Sequence, residues 1–154
     1  MAATLMDRPR QPIENPACQA TSFGDVTVDS IFAAAHGRLG VLAASKGASG
    51  RVDVLSWGGY GSPAGSVSSL PPGVQAILPR TAAGIGLGST EDALRRAYGK
   101  DLVEQEMPFG VPGALFRLTG PGGTAMRFFI GDDGLVNEID TGREPYVDWN
   151  DSCG

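Results

Sequence analysis

The chain has 154 residues, enough for one domain or two very small ones, and its 42% apolar content with a mean hydropathy near zero excludes wholesale disorder. Charged residues reach only 19%, against 23 glycines and 11 prolines, so short elements separated by many turns are expected. Net charge is −5 and sits in the second half: residues 1–82 carry six basic and five acidic side chains, the remainder six and twelve. With no Lys/Arg cluster, nucleic acid and anionic membrane are excluded as partners.

Taken from the start, residues 1–16 (MAATLMDRPRQPIENP) hold three prolines, show no periodicity and lack the apolar core of a signal peptide. Residues 1–21 therefore read as a flexible N-terminal tail. No apolar run approaches the ~18 residues that span a bilayer, so no transmembrane segment is expected.

Residues 22–82 read as a first α+β unit. A short amphipathic helix over 28–37 opens at Asp29 and closes at Gly37. A strand follows over 51–57, then a Gly/Pro/Ser-rich insert over 58–73, then a strand over 74–77.

Residues 83–154 read as a second unit with an acidic C-terminal tail. The run GIGLGSTEDALRRAYGK predicts a helix: Ser89-Thr90 cap it, Glu91 and Asp92 favour the positive end of its dipole, and Gly99 stops it. Ala93, Leu94, Ala97 and Tyr98 fall on one face at helical spacing. Past a proline-containing connector, strands are predicted over 114–118, 125–130 and 135–139. They are joined by the glycine turns GPGG and GDDG.

The two units match each other at an offset of about 62 residues, as expected of a duplicated element. The fold class is therefore α+β: two tandem helix-plus-antiparallel-hairpin repeats. They form two small sheets or one continuous sheet, with the helices on one face.

Cys18 and Cys153 lie near opposite ends and make no CxxC pair. Either they bridge the tail to the last strand, which in the chain-entropy model stabilises by up to roughly 5 kcal/mol, or they are independent thiols. A bridge implies an oxidising compartment.

Catalytic chemistry is not encoded in any familiar pattern. The one histidine, His36, sits at a predicted helix C-terminus, and no G-x-S-x-G accompanies it, so a hydrolase triad is not expected. The glycine run 84–89 lacks the GK[ST] of a phosphate loop, and Glu91 and Asp92 would repel an anion there. Asp132 and Asp133 fall in a turn too short for a calcium loop. At 7% aromatic, the chain has little to line a sugar cleft. No catalytic, cofactor-binding or metal-binding residue is assigned. Trp57, Tyr60, Tyr146 and Trp149 are the candidates for contact with a partner, since Trp and Tyr anchor interfaces. The competing reading is that they plug the edge of a small core.

The runs RTAAGIGLGSTEDALRRAYG and RFFIGDDGLVNEIDTG, with a cysteine near the end, resemble small exported proteins of high-GC Gram-positive bacteria. In plan, the tandem units are more distantly similar to β-lactamase inhibitory proteins and to small outer-membrane assembly lipoproteins. The resemblance covers 80–142. The chain lacks the internal cysteine pairs of the inhibitory proteins, and ENPACQA around Cys18 is no lipobox. What the resemblance implies is export to the cell envelope or beyond it, a two-repeat sheet, and binding rather than catalysis. The leading expectation is thus an exported, non-enzymatic module that holds a protein partner, of no assigned oligomeric state. Its rivals are a small-ligand carrier and an enzyme of unfamiliar type built on Asp132, Asp133 and His36.

Overall fold

The computed structural model describes residues 11–15, 18–23, 39–45, 54–59, 80–107, 110 and 112–148. Within them the protein is α+β, with eight strands in one continuous antiparallel sheet. These are β1 (Gln11–Asn15), β2 (Cys18–Phe23), β3 (Leu39–Ser45), β4 (Val54–Gly59), β5 (Leu102–Gln105), β6 (Ala114–Thr119), β7 (Thr124–Ile130) and β8 (Val136–Arg143). Their spatial order is β1-β2-β3-β4-β8-β7-β6-β5. Two four-stranded meanders thus meet along a seam between their last strands, β4 and β8.

One α-helix, α1 (Glu91–Tyr98), lies among the described residues. Its ends follow the expected local chemistry. The Thr90 hydroxyl accepts from the Ala93 amide at 3.2 Å, and Gly99 closes the helix at φ 53°. Across the sheet, Phe116, Phe128, Ile139 and Trp57 occupy directly paired positions on β6, β7, β8 and β4. Leu94 of α1, fully buried, joins this row in the core together with Ile85, Leu87, Ile130 and Val136. The Tyr98 ring centroid lies 5.7 Å from that of Phe128, and the Tyr98 hydroxyl bonds to that of Thr81. Ala97, by contrast, is exposed, so the buried stripe of α1 is narrower than its spacing predicts.

The segment before α1 is sewn to the sheet rather than left as a loop. Gly88 N donates to Val136 O and Val136 N to Ser89 O, both at 2.8 Å. The GDDG sequence makes the β7–β8 turn: Gly134 takes φ 72°, and the Asp133 carboxylate accepts from Leu135 N at 3.1 Å.

Two expectations require correction, and one strand stands where none is expected. Residues 11–15 and 18–21, predicted as part of a flexible tail, lie in strands β1 and β2, the latter running on to Phe23. Pro12 lies in the edge strand, where a missing N–H is tolerated. β5 follows α1 after the 3-10 turn Gly99–Asp101, although its sequence LVEQ carries no alternation strong enough to predict it. β8 runs to Arg143, well past the expected 139. It is interior to the sheet, and β4 and β7 pair with its polar end. The helix expected over 28–37 and the strand over 74–77 lie outside the described residues.

Candidate functional site

Alternation along a strand sends successive side chains to opposite faces, so the face away from α1 is set by the same registers that build the core. Along it run Arg117 of β6, Arg127 of β7, Asp140 of β8 and Ser56 of β4, each directly across from the next. The adjacent row contains Leu115, Phe129, Glu138 and Gly58. A line of polar and charged groups therefore crosses the middle of the sheet.

Three of the four are buried, and Arg117 is partly so. Arg127 is 2% exposed, Ser56 4% and Asp140 7%. What covers Arg127 is the 3-10 turn Tyr146–Asp148, which lies against β7 and β8 and plugs the face with the buried Val147. Arg127 Nη1 donates to the Val147 carbonyl at 2.8 Å, and its guanidinium lies 4.8 Å from the Phe129 ring centroid. Arg117 fastens the same stretch, donating to the carboxylates of Asp148 and Glu144. The C-terminal turn is thus held to the sheet by two guanidinium groups and one apolar side chain.

Beside Arg127 lies a carboxyl pair. Burial, then the charge of Asp140, pushes the Glu138 carboxyl up to about 8, against the opposing pull of Arg127. Burial likewise raises Asp140, although hydrogen bonding from Ser56 and the charge of Arg127 act the other way. The two carboxyls are hydrogen-bonded to each other, and Glu138 holds its proton at neutral pH. Gly58 makes room for this arrangement. A Cβ there would stand 2.7 Å from Asn137 O and from Glu138 Cα and Cβ.

An open cleft of about 280 Å3 borders this polar line, walled by Gln105, Glu106, Leu115, Arg117, Arg127 and Asp148. Its lining brings together the Arg117 and Arg127 side chains, the Glu106 and Asp148 carboxylates, the Gln105 amide and the apolar Leu115, with the Arg127 guanidinium itself buried against the Val147 carbonyl. Such a surface suits recognition of a polar or charged group. Among the described residues, no group of three or more His, Cys, Asp and Glu side chains converges as metal ligands.

The residues picked from sequence fall elsewhere. Trp57 is 8% exposed within the core cluster, because β4 is an interior strand and its register turns the indole toward α1's side. It fills the core and is not available as a partner contact. Tyr146 is partly buried and opens the C-terminal turn, close to the cleft's Asp148. Tyr60, Trp149, Cys153 and His36 lie outside the described residues, while Cys18 opens β2. Asp132 and Asp133 stay in the β7–β8 turn. Sequence reasoning missed Arg117, Arg127, Glu138, Asp140 and Ser56. The one local signal was an arginine within the apolar run AMRFFI, where alternation puts it on a face with buried neighbours.

No family model matches the chain, and no curated protein matches it. Among solved structures, the chain is similar to a DUF4309 family protein (YjgB) from Bacillus subtilis subsp. subtilis str. 168. Identity is 12% and the TM-score is 0.49; the match covers 93% of this chain and 76% of that one.

Proposed function

We propose that this protein is an exported, non-enzymatic binding module of the cell envelope or its surroundings, which holds a protein partner on the sheet face away from α1. The observation that carries the reading is the cleft of about 280 Å3 on that face, with Arg117 and Arg127 adjoining it and the C-terminal turn as one wall. Fixed charges around a concavity on rigid strands are the means by which a surface selects a partner.

Export rests on the resemblance of residues 80–142 to small exported proteins, and the proposed Cys18–Cys153 bridge belongs to the same reading. So does duplication. At the offset of about 62 residues, β3 falls on β5 and β4 overlaps β6, so one hairpin is laid on another. In this reading the first unit, like the second, sets a helix on the sheet, in the plan of the β-lactamase inhibitory proteins.

Affinity capture from the host's envelope and culture fractions tests the proposal. A stoichiometric partner should be recovered, with cross-links falling on Gln105, Glu106 and the 144–148 stretch. Failure to retain any partner across a range of salt concentrations, or cross-links confined to α1, contradicts it. A small-ligand carrier is the second reading; at about 280 Å3 the cleft falls below the ~300 Å3 at which ligand pockets begin.

A further inference from the structure

We infer that the cleft is a carboxylate-recognition site, in which Asp148 holds on Arg117 the place that a carboxylate of the bound partner takes. The inference rests on the binding reading above and supplies the chemistry of the partner.

One cross-strand pairing on this face costs stability. Arg117 and Arg127 stand directly opposite each other on β6 and β7, and like charges at such positions repel. A purely structural face would be cheaper with one of them neutral. Arg127 faces Asp140 on its other side, so its charge is answered within the sheet. Arg117 has no acidic neighbour of that kind on the paired strand β5, where Val103 stands opposite it.

Its anions come instead from the C-terminal turn. The Arg117 side chain is only 15% exposed and needs a counter-charge. Asp148 and Glu144, which supply it, are 37% and 41% exposed. Ion pairs made by partners so open to water contribute little. A partly buried guanidinium is thus closed by carboxylates that water can solvate when they leave, provided that another anion takes their place.

The cleft opens on this same guanidinium and is walled by Asp148 itself. Asp148 takes Nη1 and Glu144 takes Nη2, so an incoming carboxylate that replaces Asp148 keeps the hydrogen bond to Nη1, and one that displaces both engages the guanidinium fork in bidentate fashion. Gln105 offers an amide to the same group, and Leu115 an apolar floor for an adjacent side chain. Glu106 also lines the cleft and disfavours further negative charge beside the bound group. The site therefore takes an isolated carboxylate, such as a polypeptide C-terminus, flanked by neutral or basic residues.

A titration of the full-length protein with acetyl-Gly-Leu, as the free acid and as its C-terminal amide, tests this. It is followed by NMR at the amides of Leu115, Arg117, Val147 and Asp148. The acid should shift these signals saturably and the amide should not. Asp148→Asn should bind the acid roughly fivefold more tightly, since the internal competitor is gone. Arg117→Lys, which keeps the charge but loses the fork, should bind at least about tenfold more weakly while retaining a dispersed spectrum. Equal binding of acid and amide overturns the inference, as does Asp148→Asn with no gain. Capture of a protein partner alongside such a result would sink this inference alone; peptide binding without any partner would sink the protein-binding reading alone.

Discussion

Arg127 of β7 stands directly across from Asp140 of β8, and both are nine-tenths or more buried at the centre of the sheet. Neither charge has bulk water to solvate it, so each depends on the other and on the groups around them: Ser56, Glu138 and the Val147 carbonyl. Removing the cation leaves the carboxyl pair without compensation. Arg127→Met should lower stability by about 3–5 kcal/mol at pH 7. In urea unfolding the deficit should shrink as the pH falls, because protonation of the two raised carboxyls removes the charge that Arg127 answers; a deficit that does not change with pH contradicts the pairing.

Glu138 gives the fold a pH dependence of defined sign. Unfolded carboxyls of this type lose their protons near pH 4, whereas folded Glu138 keeps its proton until about pH 8. Between these values the folded state binds more protons than the unfolded state, so stability falls as pH rises and levels off above the window. Calorimetry between pH 5 and pH 9 should show Tm declining through that range. Glu138→Gln, which mimics the protonated form, should remove at least about half of the decline. An unchanged slope would show that the proton lies elsewhere.

The seam between the two meanders depends on a missing side chain. At Gly58 a Cβ would meet the β8 backbone and Glu138 at 2.7 Å, closer than such atoms approach. Gly58→Ala must therefore shift β4 against β8, and overpacking of this kind costs about 1–3 kcal/mol. The expected readout is a lowered urea midpoint with an unchanged denaturant slope. A neutral result means that the strands separate freely.

Much of the second half was legible in the sequence because its signals are local. Thr90, Gly99 and the Asp133–Gly134 turn act through their own backbone, and their elements stand close to where those residues predict them. The site was not legible, because Arg117, Arg127, Asp140 and Ser56 come from four strands and are aligned by pairing register alone. The antiparallel β4–β8 pairing joins residues some eighty positions apart, and no local pattern encodes it. For Trp57 the sequence offers both an interface anchor and a plug of the core, and its burial in the core cluster favours the plug; the choice depends on the β4–β8 pairing, which is equally non-local. β1 and β2 were hidden by prolines, which oppose a strand only where the N–H is needed.

The contact between α1 and the sheet rests on Leu94, which is fully buried against Phe116, Phe128 and Ile139. Leu94→Ala should cost about 2–5 kcal/mol in chemical denaturation. The cleft on the opposite face should keep its peptide affinity, since no cleft residue belongs to this core.

The binding role of the Arg117 face is tested most directly by reversing its charge. Parent protein and Arg117→Glu should be immobilised in parallel and exposed to the same envelope and culture fractions. The parent is expected to retain a stoichiometric partner, and the variant to lose it by at least about tenfold while its near-ultraviolet circular dichroism stays native. Equal retention of the same partner by a folded Arg117→Glu protein would contradict the account.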